Sequence, residues 1–220
     1  CLVLFGCDAA SIAAEDSTSS ELLERITWQY KNENYMGSRE KAELFIVRFP
    51  NHPEVDAVRM ILLDSCIQTG KFKAATTYAT RYLEGSLLQE KSREDVEYYL
   101  IQSKFANNQQ WMGRKLQARF GDKINDKYVL RNQQGLEQLV VDVEQFLDRF
   151  PHSHYTDELN ELHARLRDNL ADHELTIAHF YMQKGNFKGA RQRLERYESS
   201  YIDIEHPLYD YLVSYPELSE

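Results

Sequence analysis

The chain is poor in residues that interrupt regular structure and in residues that cross-link it. Its 220 residues include 9 glycines, 5 prolines and 3 cysteines. So little glycine and proline excludes a collagen-like or low-complexity chain. With 42% apolar and 28% charged residues, the composition is that of a folded body. Because Leu, Glu, Arg and Lys are abundant in a chain of this kind, the composition favours helical repeats.

Positive charge is also scarce. The chain has 26 Lys and Arg residues against 35 Asp and Glu residues, which gives a formal charge of −9. Nucleic-acid binding depends mainly on Lys and Arg side chains that displace counterions from phosphates. A net-acidic chain without a basic stripe is therefore not predicted to have nucleic acid as a main partner.

The N-terminal apolar run, residues 1–7, is far shorter than the roughly 20 residues of a transmembrane helix. Its last part, Leu4-Phe5-Gly6-Cys7, resembles the lipobox that ends a bacterial lipoprotein signal peptide. We therefore predict that residues 1–6 are the end of a signal peptide and that Cys7 is the lipidated first residue. Residues 7–20 continue as a flexible tether, because they are small, polar and acidic. The folded body is expected to begin near Glu21.

The cysteine count agrees with a protein that has no disulfide. If Cys1 leaves with the signal peptide and Cys7 carries lipid, Cys66 has no partner. Because Cys66 lies in an apolar helical pattern, we predict that it is a buried thiol.

A short phrase recurs along the chain, in which Gly or Asn stands just before an aromatic residue that opens a helix. It is clearest at 34–35, 70–72 and 185–187. In tetratricopeptide repeats, units of two helices, this aromatic lies fifteen residues before a closing proline. Tyr35 has that relation to Pro50, as Leu136 has to Pro151. The phrase predicts second helices that begin at residues 35, 72, 136 and 187.

Apolar residues follow the helical period in these segments, as in the run Val58, Ile61, Leu62, Ser65 and Cys66. No comparable run alternates with period two. The predicted fold is therefore all-α, with tetratricopeptide-like hairpins stacked in a right-handed superhelix, an α-solenoid. We expect about four hairpins and a terminal helix over residues 21–220. Uneven spacing predicts an insertion near 105–134, built as a structured loop or short helices.

The sequence lacks the patterns of a catalytic or metal site. Five of the seven histidines lie between His152 and His179. However, His173 and His179 are six residues apart, whereas a zinc peptidase helix needs ligands at i and i+4. No Gly-rich phosphate loop, Gly-x-Ser-x-Gly or Cys-x-x-Cys occurs. We predict no catalytic residue, no metal and no cofactor, so binding is the expected function.

Aromatic residues at helical spacing are mostly packing residues, but a stack of hairpins also exposes a face on which extended peptides bind. Tyr30 and Tyr78 are candidates for contacts with apolar side chains of such a peptide.

Several stretches resemble the BamD family, lipoproteins of the machine that inserts β-barrel proteins into the bacterial outer membrane. The most specific are residues 146–155 (FLDRFPHSHY), 166–175 (LRDNLADHEL) and 181–187 (YMQKGNF). Residues 48–53 (RFPNHP) match more weakly, and 116–122 (LQARFGD) resembles the insertion of the family. The resemblance covers nearly all of residues 20–205.

The resemblance implies a scaffold without enzymatic activity, anchored to the periplasmic face of the outer membrane beside other assembly lipoproteins. The C-terminal hairpins would bind a POTRA domain of a BamA-like insertase. The implied contact residues are Arg167, Asn169, Asp172 and Glu174. Many family members have Arg where this chain has Asn169.

The resemblance also implies that the first hairpins receive the C-terminal strand of an unfolded β-barrel substrate. Such a strand ends in an aromatic residue and a free carboxylate, which would suit apolar pockets beside a cation. Arg59 and Arg81 are the candidate cations, and with Tyr30 and Tyr78 they form the predicted peptide groove.

Two alternatives stay open. The chain is also compatible with a periplasmic tetratricopeptide adaptor lipoprotein for cell-wall or secretion complexes, since the repeat alone indicates only that a partner is bound. Asp8, directly after the predicted lipidated cysteine, is similar to the signal that retains lipoproteins in the inner membrane of enteric bacteria. The inner membrane is therefore an alternative location.

Overall fold

A computed structural model describes residues 18–85, 90–120 and 134–218, with side chains described except at 90–91, 109–120 and 134. All regular elements in these ranges are helical, so the predicted all-α fold of tetratricopeptide-like hairpins is confirmed. They are α1 Ser19–Lys31, α2 Tyr35–Arg48, α3 Val55–Gln68, α4 Phe72–Glu84, α5 Glu90–Phe120, α6 Gln134–Arg149, α7 Thr156–Gln183, α8 Phe187–Tyr201, α9 Pro207–Val213 and a 3₁₀ turn Pro216–Leu218.

The chain divides into two compact units, Cys1–Lys104 and Phe105–Glu220. In the first unit, α2 packs against α1 and α3, and α3 packs against α4. In the second unit, α7 packs against α6, α8 and α9. None of the helices within the described ranges is long and apolar enough to cross a membrane.

The first helix begins slightly before the predicted boundary at Glu21. Thr18 and Glu21 form a capping box, in which the Glu21 N–H donates to Thr18 Oγ1 at 3.3 Å and the Thr18 N–H donates to Glu21 Oε2 at 3.1 Å. This pair satisfies two backbone donors that a helix start leaves open. As a result Ser19 and Ser20, predicted as tether, belong to α1.

Aromatic residues open the second helix of three hairpins as predicted, because α2 begins at Tyr35, α4 at Phe72 and α8 at Phe187. Asparagine caps two of these helices. The Gly37 N–H donates to the Asn34 side chain at 3.1 Å, and the Gly189 N–H donates to that of Asn186 at 3.0 Å. The fourth predicted start is displaced slightly, since α6 begins at Gln134 rather than at 136.

The three tight turns within these hairpins share a left-handed residue. Gly70 and Gly185 have φ values of 68° and 69°, and Glu33 holds the same place with φ of 58°. Glycine adopts this conformation without steric cost, whereas a residue with a Cβ atom does not. Glu33 is therefore a strained position in the turn of the first hairpin.

Glu33→Gly is expected to raise the free energy of unfolding by about 1 kcal/mol, because the strain of the left-handed side chain exceeds the extra chain entropy of glycine. Gly185→Ala, the matched control, is expected to lower it by a similar amount. A Cβ atom at Gly185 would meet nothing within 4 Å, so its effect is conformational alone. Urea unfolding measures both, and a destabilised Glu33→Gly variant would contradict this account.

The two Arg-Phe-Pro phrases form nearly identical turns between hairpins. Phe49 N–H donates to Phe45 O, and Phe150 N–H to Phe146 O, both at 2.8 Å. Ring centroids lie 5.3 Å apart for Phe45 and Phe49, and 5.0 Å apart for Phe146 and Phe150. Phe45 and Phe146 are fully buried. In both turns the buried phenylalanine packs against the phenylalanine of the Arg-Phe-Pro phrase, at which the helix ends and the chain turns.

The predicted insertion near 105–134 differs from expectation in its first part. A single helix, α5, runs from Glu90 through Phe120, where a loop or short helices were predicted. The stretch contains no proline and only one glycine, so its Asn and Gln residues do not interrupt the helix. Residues 121–133 of the predicted insertion lie outside the described residues.

The core of the first unit includes Leu22, Ile26, Phe45, Leu62 and Cys66. Cys66 is completely buried, which confirms the sequence prediction. Burial raises the pKa of its thiol to about 11, so the thiol stays protonated and unreactive at neutral pH. In the second unit Leu175, Leu194, Tyr197 and Leu212 belong to the corresponding core.

Candidate functional site

The first unit contains a cleft of about 440 Å³ where α2 ends, α3 begins and α4 ends. We call it the first-unit cleft. Its walls combine aliphatic and aromatic side chains with two arginines. The lining residues are Glu43, Ile46, Val47, Arg59, Leu62, Tyr78, Arg81, Tyr82 and Gly85.

Arg59 is a buried cation in the wall of this cleft. Its side chain is only 7% exposed, and its Nη1 donates to Asp56 Oδ1 at 2.6 Å. The guanidinium carbon lies 5.2 Å from the centroid of the Tyr82 ring, an arrangement that stabilises a cation. Its Nε has no hydrogen-bond acceptor among the described residues. Arg59 therefore offers one buried donor that no described protein group satisfies.

Two stacked tyrosines from α4 form the aromatic wall. The rings of Tyr78 and Tyr82 are nearly parallel, with centroids 6.3 Å apart. The Tyr78 hydroxyl donates to Glu43 Oε1 at 3.1 Å. Burial raises the pKa of both phenols, so both remain neutral donors at physiological pH. Arg81, on the same helix, is exposed at the rim.

The structure brings together three of the four residues of the predicted peptide groove, namely Arg59, Tyr78 and Arg81. Tyr30 lies elsewhere. Its hydroxyl donates to Asp64 Oδ2 at 2.6 Å, and its ring packs edge-on against Tyr35. The hydrogen bond of Tyr30 therefore joins α1 to α3, and Tyr30 is not a residue of the first-unit cleft.

Sequence reasoning missed the other lining residues, although some signal was present. Tyr82 lies four residues after Tyr78, which places both rings on one helix face. Ile46, Val47 and Leu62 come from two other helices. Their approach to α4 depends on packing, so no local pattern could have indicated it.

In the second unit, Arg167 is held within the protein. Its two terminal nitrogens donate to the carboxylate of Asp203 at 2.8 and 2.7 Å, and Nη2 also donates to the carbonyl of Ser200 at 3.0 Å. The guanidinium lowers the pKa of the Asp203 carboxyl. This two-point contact fixes the end of α8 and the following turn on α7.

Two further predicted contact residues are also engaged within the chain. Asp172 Oδ1 lies 3.4 Å from His206 Nε2, and His206 Nδ1 accepts from the Leu208 N–H at 3.2 Å to cap α9. Glu174 is buried and accepts from Arg193 Nη1 with both oxygens, at 3.0 and 2.9 Å. These contacts join α7 to α9 and α8.

Of the four residues predicted to contact an insertase, three thus hold the second unit together. Asn169 differs, because it is exposed on α7. Asn169 therefore differs from the other three residues in taking no part in these ion pairs.

We expect an NMR titration of the carboxyl carbons to place the pKa of Asp203 below the ordinary value of about 3.9. Because the pKa is lower in the folded state, the ion pair stabilises the fold at pH values above the ordinary pKa. This stabilisation is lost as pH falls through the lower pKa of the folded state. Arg167→Ala should return the pKa of Asp203 towards its ordinary value. Arg165→Ala, whose guanidinium instead lies over Phe105, should leave it unchanged. An equally low pKa of Asp203 in both variants would contradict the assignment.

The histidines form isolated contacts. His163 Nε2 lies 2.9 Å from Glu144 Oε1, between α7 and α6. Among the residues that the structure describes, no group of three or more His, Cys, Asp or Glu residues could hold a metal ion.

A second, polar cavity of about 590 Å³ lies over α8 and includes Arg193, Arg196 and Gln192 in its lining.

Hairpins of paired helices, with a peptide-sized cleft lined by aromatic side chains and arginines, define a helical repeat protein of the tetratricopeptide class. The profile of the outer membrane lipoprotein family YfiO matches residues 15–208, and the chain belongs to this family. Among its relatives is the outer membrane protein assembly factor BamD of Vibrio cholerae, 21% identical over 203 residues, which are 92% of this chain and 80% of that protein.

These comparisons confirm the predicted resemblance to the BamD family and the predicted location, the outer membrane with a lipid anchor. Cys7, the predicted site of lipidation, lies outside the described residues. Its modification remains a prediction.

Proposed function

We propose that this protein is a non-catalytic scaffold lipoprotein of the β-barrel assembly machinery, which binds a BamA-like insertase and unfolded outer-membrane substrates. Membership of the outer membrane lipoprotein family supports this function, as does the relative that is named as an outer membrane protein assembly factor. The observation that carries the substrate site is a cleft in which the guanidinium groups of Arg59 and Arg81 lie beside aromatic and aliphatic side chains.

The chemistry of the first-unit cleft suits the C-terminal end of a barrel strand. A terminal carboxylate would accept a charge-assisted hydrogen bond from the exposed guanidinium of Arg81, and the buried positive charge of Arg59 would attract it. The last aromatic side chain would pack against the ring of Tyr82 and the aliphatic wall at Leu62. Recognition of a free carboxylate beside an apolar pocket is a known mode of peptide binding.

Energetics favour an anionic group over water at this place. An unsatisfied buried donor costs about 1–3 kcal/mol, and a nearby carboxylate would offset part of this cost through its attraction to the Arg59 guanidinium. Asp56 already holds Nη1 of the same side chain, so the guanidinium is fixed in orientation before a ligand binds. A fixed donor loses little side-chain entropy on binding.

Fluorescence anisotropy with a labelled strand peptide that ends in phenylalanine tests the substrate site. The free acid should bind several-fold more tightly than the C-terminal amide. Arg81→Ala should remove most of that difference, because it deletes the exposed cation at the rim. Lys73→Ala is the matched control, since Lys73 is an exposed cation of the same helix outside the cleft lining. Equal binding of acid and amide would overturn the assignment.

Copurification and variants of α7 test the proposed contact with the insertase. The protein should copurify with a BamA-like barrel from membranes in mild detergent, and its absence would remove the proposal in favour of another adaptor role. We expect Asn169→Arg to strengthen this association, because it restores the cation that many family members have. Asn160→Arg, on an exposed position of the same helix, should have no effect.

A further inference from the structure

Helix α1 carries an exposed tryptophan that none of the described contacts of the core uses. The side chain of Trp28 is 63% exposed, while Leu22 and Ile26 are buried. Trp28 follows Ile26 by two residues, about 200° around the helix axis at 3.6 residues per turn. It therefore stands near the middle of the outer face of α1. Met36, 60% exposed, lies just beyond the turn at the start of α2.

The position of Trp28 in the repeat is buried in one other hairpin and exposed in another. Trp28 lies five residues before the left-handed Glu33, Ser65 lies five before Gly70, and Phe180 lies five before Gly185. Ser65 is completely buried, whereas Trp28 and Phe180 are exposed. The described residues thus leave the Trp28 side chain of the first hairpin largely exposed.

We propose that the outer face of α1 around Trp28 rests on the phospholipid surface of the membrane that holds the lipid anchor. The inference is independent of the substrate site and rests on Cys7 as the lipidated residue. Tryptophan is the side chain that favours the boundary between acyl chains and headgroups, because its ring is apolar and its indole N–H forms hydrogen bonds.

The length of the tether allows this contact. Thr18 caps α1 eleven residues after Cys7, and eleven extended residues reach at most about 36–40 Å. The 13 residues of α1 measure only about 20 Å. Since the tether exceeds the helix in length, an anchor at Cys7 lets α1 lie along the bilayer with Trp28 against it.

Charged groups around Trp28 fit an interfacial position. Arg25 and Lys31, each three residues from Trp28, are exposed, and their long side chains can reach lipid phosphates while Trp28 inserts. Glu24 is also exposed on this face, whereas the Glu21 carboxylate accepts the Thr18 N–H. With two cations and two acids, the face matches a mixed zwitterionic and anionic surface rather than a strongly anionic one.

The test uses fluorescence quenching in the lipidated full chain with Trp111→Phe, which leaves Trp28 as the only tryptophan. The protein is incorporated by its anchor into phosphatidylethanolamine and phosphatidylglycerol vesicles with brominated acyl chains. We expect several-fold stronger quenching of Trp28 than in vesicles without bromine, together with a blue-shifted emission and low accessibility to aqueous iodide.

The matched control moves the tryptophan to the equivalent position of the last hairpin, through Trp28→Phe, Trp111→Phe and Phe180→Trp. The introduced side chain should remain open to iodide and unquenched by bromine. Trp28 emission that is open to iodide and insensitive to bromine would overturn the proposal, as would equal quenching at both positions. Protection from iodide without bromine quenching would also overturn it, by indicating a protein partner. Peptide binding by the first-unit cleft is unaffected by each of these results.

Discussion

Phe45→Ala is expected to lower the free energy of unfolding of the first unit by about 3–5 kcal/mol. The Phe45 ring is completely buried, lies 5.3 Å from the Phe49 ring and 5.2 Å from the His52 ring, and belongs to the core that joins α1, α2 and α3. Alanine would leave a cavity at the turn between hairpins that the neighbouring helices cannot close without losing their own contacts. Urea unfolding measures the loss.

Two comparisons make this prediction specific. Val47→Ala, two residues away on the same helix, removes a side chain that is 79% exposed and should change stability by less than about 0.5 kcal/mol. Phe146→Ala should be as damaging as Phe45→Ala, but in the second unit. Hydrogen exchange should therefore rise in α1–α4 for one variant and in α6–α7 for the other. If each variant increased hydrogen exchange equally in both units, this prediction would be contradicted.

The positions of the hairpins could be predicted from sequence because their determinants are local. Asn34 and Asn186 cap the helices that follow them, Gly70 and Gly185 supply the left-handed turn, and Tyr35, Phe72 and Phe187 open helices accordingly. The course of α5 could not be predicted in the same way. A structured loop or short helices were predicted there, yet in the absence of proline a helix continues unless a competing contact stops it.

The same distinction between local and long-range determinants applies to the residues of the candidate site. Tyr78 and Arg81 share a helix, so their common location in the first-unit cleft follows from spacing. Tyr30 was misplaced because its partner, Asp64, lies 34 residues away. Arg167 likewise pairs with Asp203, 36 residues away, and no helical period can indicate such a pair. Contacts of this range depend on how hairpins pack.

Arg59→Met is expected to destabilise the first unit by about 3 kcal/mol, because it removes the buried cation that donates to Asp56. The two side chains are 7% and 9% exposed and meet at 2.6 Å. The double variant Asp56→Leu and Arg59→Met removes both charges and should cost much less than either single change. Arg93→Ala, which breaks a pair whose arginine is 44% exposed, should cost less than about 1 kcal/mol.

This cycle also separates folding from recognition. If Arg59 served stability alone, the double variant, once folded, would still distinguish a peptide acid from its amide. If the positive charge of Arg59 helps to recognise the carboxylate, the folded double variant should prefer the acid less than the unaltered protein does, although Arg81 remains. Circular dichroism and urea unfolding establish that the variant is folded, and anisotropy with the two peptides then decides. An undiminished preference for the acid would leave the carboxylate to Arg81 alone and refute the role of the buried arginine.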